Sequence, residues 1–150
     1  MYLIHDMEEI LTVETFLREH QEKIPFSVTT IEFTVAFLVL YIISVFGCYR
    51  VLRNKSFLGM SPAQYFIVLV PGFLFANGVG HVLQFIYFRS YVPGIYTTLV
   101  VIFPYCFFSL RFLFKHKILS KTKFLFIFLS AFILQAPLAF IALLLGEILV

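Results

Sequence analysis

The 150 residues are 61% hydrophobic and only 13% charged, with 21 phenylalanines, no tryptophan and a mean hydropathy of +1.00. A water-soluble domain carries about 25% charged residues, so this composition excludes an ordinary soluble fold and requires most apolar side chains to face lipid. The net charge of +3 sits in loops and builds no basic helix face, which excludes nucleic acid as a partner.

Residues 1–26 hold His5, Asp6, Glu8, Glu9, Glu14, Arg18, Glu19, His20, Glu22 and Lys23 and are too polar to span a bilayer alone. Ile4, Met7 and Leu11 share one side of a helix. That pattern predicts either a helix lying along the membrane surface or the end of a spanning helix, a truncated fifth span. No basic and apolar leader of the signal-peptide type is visible.

Four apolar runs follow, at 31–49, 65–88, 91–114 and 124–149. Each reaches the roughly 20 residues that carry a helix across about 30 Å of hydrocarbon. Barrel strands are excluded, because they would be about 9–11 residues long and strictly alternating. The predicted fold is therefore all-α: an integral membrane bundle of four full transmembrane helices plus a short N-terminal helix, forming a single domain over 1–150.

The linkers agree. Residues 50–62 contain Arg50, Arg53 and Lys55 and end in Ser61-Pro62, a helix-start signal. Residues 89–94 form a short turn, and Lys115, Lys117, Lys121 and Lys123 follow Arg111 in a second basic linker. Two spans separate the basic linkers, so both fall on one side. The positive-inside rule makes 50–62 and 111–123 cytoplasmic in a multi-pass protein of the cell membrane.

Several residues inside or beside the runs have ordinary expected roles. Pro71, Pro104 and Pro137 predict kinks. Gln84 and Gln135 predict interhelical hydrogen bonds. Arg50 and Arg111 snorkel, Glu32 sits at the interface, and His20 and His116 are solvated. Cys48 and Cys106 lie at or in apolar runs without a CxxC neighbour and read as buried, inert thiols.

Two groups point to chemistry. The first, His5-Asp6-Met7-Glu8-Glu9, places His5, Glu8 and Glu9 on one helix face, since residues three and four apart are neighbours. An imidazole and two carboxylates form half of a divalent metal site, although acids at a helix start also serve the helix dipole. Asp6 points off this face by about 100°. The second group, Asn77 and His81 four residues apart, lies within a span, where a histidine is costly and marks a functional site. Gly78 and Gly80 leave room for another helix to approach.

H-x-x-E-E followed by N-[small]-x-x-H in a later span resembles the HXXEE family of small multi-pass membrane proteins. His5, Glu8 and Glu9 match the first motif; Asn77 and His81 match the second, with Gly78 where the family has Ala. The family's GxxxY motif has no strict match here, and Tyr91 is the nearest counterpart. The resemblance implies a shared polar site rather than a particular reaction. Family members carry a longer apolar segment before HXXEE, which leads to the expectation that this sequence starts late.

The site expected on these grounds has His5, Glu8, Glu9, His81 and Asn77 around zinc, iron or manganese, with Glu8 or Glu9 as the catalytic base. The partners are the bilayer and a small or lipid-like substrate. A metal-dependent intramembrane enzyme, a hydrolase or an oxidoreductase, is one reading. A small or proton-coupled carrier, or a non-catalytic accessory or immunity-type protein, is the alternative. For the first two groups to meet, the HxxEE helix must lie near the outer end of the bundle, because His81 is about 10 Å from the end of its run.

Overall fold

A computed structural model describes residues 1–150 as five helices without a strand. They are α1 (Tyr2–Glu19), α2 (Thr30–Leu52), α3 (Pro62–Phe88), α4 (Ile95–Lys115) and α5 (Lys121–Leu149). The last four are long and apolar enough to cross a membrane. Their surfaces agree with lipid rather than water: Phe126, Ile133 and Ile148 are each more than 70% exposed. In water each such side chain would forgo about 1.5–3 kcal/mol of burial.

Local chemistry sets the helix starts. Thr29 accepts from the Glu32 N–H while Glu32 accepts from the Thr29 N–H at 2.8 Å, a complete capping box. Glu32 thus has a defined job beyond sitting at an interface. Ser61 and Gln64 repeat the arrangement ahead of Pro62, and Ser120 caps α5. Glu14 of α1 accepts from both the backbone and the hydroxyl of Thr30, tying α1 to the first turn of α2.

Small residues permit the closest helix contacts. Gly146 of α5 lies against the Glu32 carbonyl and the Ala36 backbone of α2. Gly78 of α3 faces Phe103 and Thr98 of α4, where a Cβ would fall 2.6 Å from the Phe103 ring. Gly80 has open space beside it and does not serve helix approach. The inner core is Val70, Leu74, Ile102 and Cys106, with Met1 and Tyr2 packed on it.

Two of the three proline expectations take a particular form. Pro71 lies in a π-helical stretch of α3, Val68–Leu74, and Pro104 follows a second one in α4, Thr98–Ile102. Wider turns there accommodate the missing N–H. Pro137 sits within continuous α5. Gln135 donates to the Phe73 carbonyl at 2.6 Å, bridging α5 and α3. Gln84, by contrast, is exposed and makes no bond to another helix, because residues 83–87 at the end of α3 are exposed on every side. Cys106 is buried, whereas Cys48 is half-exposed.

The two basic linkers lie at one end. Leu58, Gly59, Met60 and Gln64 share a cleft with Lys123 and Ile127. α1 occupies the other end, with Phe16 and Leu17 packed on Val92. Its greasy side faces away from the bundle. Ile4, Met7 and Leu11 face outward, while His5 and Asp6 are buried against the bundle. In lipid this is the stable orientation, because polar groups cost most where no partner can reach them.

Candidate metal centre

The site forms where α1 meets α3 and the start of α4. His5, fully buried, is held between two helices. Its Nδ1 lies 2.8 Å from the Thr97 hydroxyl, and its Nε2 lies 2.9 Å from the Asn77 amide nitrogen. The proton positions follow from the partners. The Thr97 hydroxyl donates to a Glu8 carboxylate oxygen at 2.6 Å, and a carboxylate can only accept. Thr97 has one hydroxyl hydrogen, so it must accept from His5 Nδ1–H. In neutral His5 the lone pair then lies on Nε2, toward the interior of the site.

Glu9 and His81 complete the group. Glu9 Oε1 is 3.0 Å from His81 Nε2 and 3.8 Å from His5 Nε2, and the two rings meet edge to face at 4.9 Å. The three ligand atoms lie within 4.8 Å of one another. Metal–ligand bonds of about 2.0–2.1 Å in tetrahedral geometry place ligand atoms about 3.4 Å apart, so the separations of 3.0 and 3.8 Å to Glu9 bracket the required edge. His81 is 6% exposed, and neither ring nitrogen has a hydrogen-bond partner. The close Glu9 oxygen does not lie in hydrogen-bonding geometry. A buried polar side chain is normally satisfied, so this imidazole is an exception that a metal ligand would explain.

Glu8, expected among the ligands, points elsewhere. It accepts from the Tyr91 hydroxyl at 2.8 Å, the Tyr96 N–H at 3.1 Å, the Thr97 N–H at 2.7 Å and the Thr97 hydroxyl. Burial works to raise its carboxyl, but these bonds outweigh burial and hold it below the usual carboxylate range. Tyr91, in the turn, is pushed up to about 12, first by burial and further by Glu8. Asn77 also stays one step from the ligand atoms, on His5.

Asp6 does not fall away from the site. It is 6% exposed, lies beside Glu9, and leaves Oδ2 buried without a partner. The reason is that α1 is flanked on two sides. Tyr2 stacks on Phe37 and Tyr41 of α2 while His5 meets α3 and α4, so residues well off the His5 face are also enclosed. His20 is likewise not solvated: it bonds Phe16 and Ser90 and stacks on Phe16 and Phe88.

The 89–94 turn roofs the group. Gly94 sits at φ +80°, and a Cβ there would fall 2.8 Å from His5, 3.0 Å from His81 and 3.1 Å from Glu9. The residue is glycine both for its left-handed backbone and for the space its three neighbours occupy. Neither Gly94 nor Thr97 carried a readable signal in sequence. Thr97 is one of two adjacent threonines in an apolar run, and Gly94 looks like any turn glycine.

A family model described as "Protein of unknown function with HXXEE motif" matches residues 1–109. The chain belongs to the HXXEE family. The matched span contains α1, α3 and the site-bearing start of α4, and the motif histidine and second glutamate are the residues that meet His81. The first motif glutamate is the one that anchors the turn. α5 lies beyond the matched residues of this HXXEE protein. No curated protein and no solved structure matches the chain.

Proposed function

We propose that this HXXEE protein is a metal-dependent membrane enzyme whose divalent metal is held by His5 Nε2, Glu9 and His81 Nε2. The observation that carries the reading is the buried His81 imidazole, which makes no hydrogen bond and holds Nε2 3.0 Å from the Glu9 carboxylate. Two imidazoles and one carboxylate with an open position form the donor set of catalytic zinc and of non-haem iron sites. A bound ion would supply Lewis acidity or redox chemistry at that open position.

The remaining residues act around the ligands. Thr97 and Glu8 fix the His5 tautomer and ring angle, as outer-shell partners do. Asn77 donates to the His5 Nε2 lone pair, which would have to be released for His5 to hold a metal. Asp6 lies buried beside Glu9 and leaves Oδ2 without a partner. The 89–94 turn excludes water from one side. With the basic linkers cytoplasmic, the site lies in the outer half of the membrane, the side from which a small or lipid-like substrate would come.

A second reading has a specific observation behind it. The unbroken chain Asn77–His5–Thr97–Glu8–Tyr91 would pin three segments together without any metal, as in an accessory protein. Metal content separates the two. Detergent-purified full-length protein, supplied with zinc, iron and manganese in turn, is expected to retain about one equivalent of one metal. Glu9→Gln and His81→Ala should each lose it. A helical wild type that retains none, with both variants lowering only its melting temperature, would establish the pinning role instead.

A further inference from the structure

The opposite end of the bundle carries a second polar feature, independent of the metal reading. Eight of the eleven lysines and arginines lie there: Arg50, Arg53, Lys55, Arg111, Lys115, Lys117, Lys121 and Lys123. No Asp or Glu occurs anywhere between Phe33 and Gly146. None of these cations has a carboxylate partner, since both ion pairs in the protein involve Glu9 and a histidine. A field of one sign is thus concentrated at one membrane face.

Within that field three cations converge on a cleft. A cavity of about 380 Å³ is lined by Phe46, Tyr49, Arg50, Arg53 and Lys55. Its shape comes from how α2 ends. Asn54 adopts φ +53°, its N–H bonds the Val51 carbonyl, and the Lys55 N–H bonds the Arg50 carbonyl at 2.9 Å. This is a Schellman turn with asparagine in the left-handed position, and it folds Lys55 and Ser56 back beside Arg50. The Ser56 carbonyl accepts from Arg50 Nε at 3.3 Å and Nη2 at 3.0 Å, fixing the guanidinium while its other nitrogen stays available. Arg53 lies 5.7 Å from the centre of the Tyr49 ring. Phe57 packs edge-on against both Phe46 and Tyr65, so the linker is anchored and the cleft keeps its form.

The walls are mixed. Phe46 and Tyr49 are each about half exposed, at 52% and 54%, on the last turns of a membrane helix. One side of the cleft is therefore apolar and faces the acyl region, while the other presents three positive charges. The negative end of the helix dipole offsets only about half a charge. A phosphate placed here would meet a fixed guanidinium, a second one stacked on tyrosine and an ammonium.

We propose that this cleft binds the phosphate headgroup of an anionic phospholipid, with one acyl chain lying on Phe46. The continuity of cationic floor and lipid-facing aromatic wall selects a lipid over free phosphate, which would use only the floor.

The test uses full-length protein in mild detergent, with native mass spectrometry counting phosphatidylglycerol and phosphatidylcholine adducts. Wild type should bind phosphatidylglycerol preferentially, and the preference should fall with ionic strength. R53Q/K55Q should weaken it about tenfold or more, at roughly the contribution expected for two cations near a membrane surface. K117Q/K121Q, which removes the same charge from the other basic linker, should leave most of it. Equal losses in both double variants would reduce the effect to diffuse charge and overturn the site. So would an unaltered R53Q/K55Q, a wild type without headgroup preference, or inorganic phosphate binding as tightly as the lipid. Circular dichroism confirms that the variants remain helical, and the salt dependence of wild type stands without any variant.

Discussion

Replacing Gly94 by alanine tests the geometry of the proposed metal centre most directly. The added methyl would stand 2.8 Å from His5 Cε1, 3.0 Å from His81 Cε1 and 3.1 Å from Glu9 Cγ, all closer than ordinary carbon contact. Two costs arise. The left-handed backbone at φ +80° costs an alanine about 1–2 kcal/mol. Pushing apart packed side chains costs about 1–3 kcal/mol more. The second cost falls on the three groups that would hold the metal, so it should appear in affinity as a loss of about 5- to 150-fold. Gly59 supplies the control. It has φ +75° with nothing within 4 Å of its added Cβ, so Gly59→Ala carries the backbone cost alone. Metal affinity measured by chelator competition, and melting temperature measured in the same detergent, separate the terms. Both variants should melt lower, and only Gly94→Ala should lose metal affinity. If Gly94→Ala binds metal like wild type, the turn does not press on the three side chains and the reasoning fails.

Other expectations follow from the same structure. Thr97→Val removes the acceptor that fixes the His5 tautomer and should weaken metal binding about 10- to 100-fold, whereas Thr97→Ser should restore it; chelator competition reads both. Gly78→Ala drives a methyl into Phe103 and should lower the melting temperature, while Gly80→Ala, with open space, should be near neutral or slightly stabilising. The Thr30 bonds hold the Glu14 carboxyl below its ordinary value. This contact therefore stabilises the α1–α2 junction above the unfolded carboxylate pKa and is lost as pH falls through the lower folded value. Amide exchange at residues 28–32 should accelerate there in wild type and show no such step in Glu14→Gln.

The HxxEE motif was legible as one polar helix face because helical spacing fixes which residues lie side by side. It did not reveal how the two glutamates divide the work. Their separation by 100° on α1 becomes decisive only when the Thr97 backbone and hydroxyl stand on one side and His81 on the other. Asp6 shows the same limit from the opposite direction. Its angle on the helix is correct, but enclosure by α2 as well as by α3 and α4 buries a position that a two-helix contact would leave free.

The amino-acid sequence by itself determined the four apolar helices, the start of one of them at Ser61-Pro62, and the collection of basic residues in two linkers. These are local matters of hydropathy, capping and charge, and each is settled within a few residues along the chain. Only the tertiary structure decided which side of α1 turns inward, that Gly94 rests on three side chains, that Thr97 orders His5, and that Asn54 folds Lys55 back to Arg50. Each of these is a distance between groups that are brought together by packing or by one turn's backbone geometry. Periodicity alone carries no information about such distances.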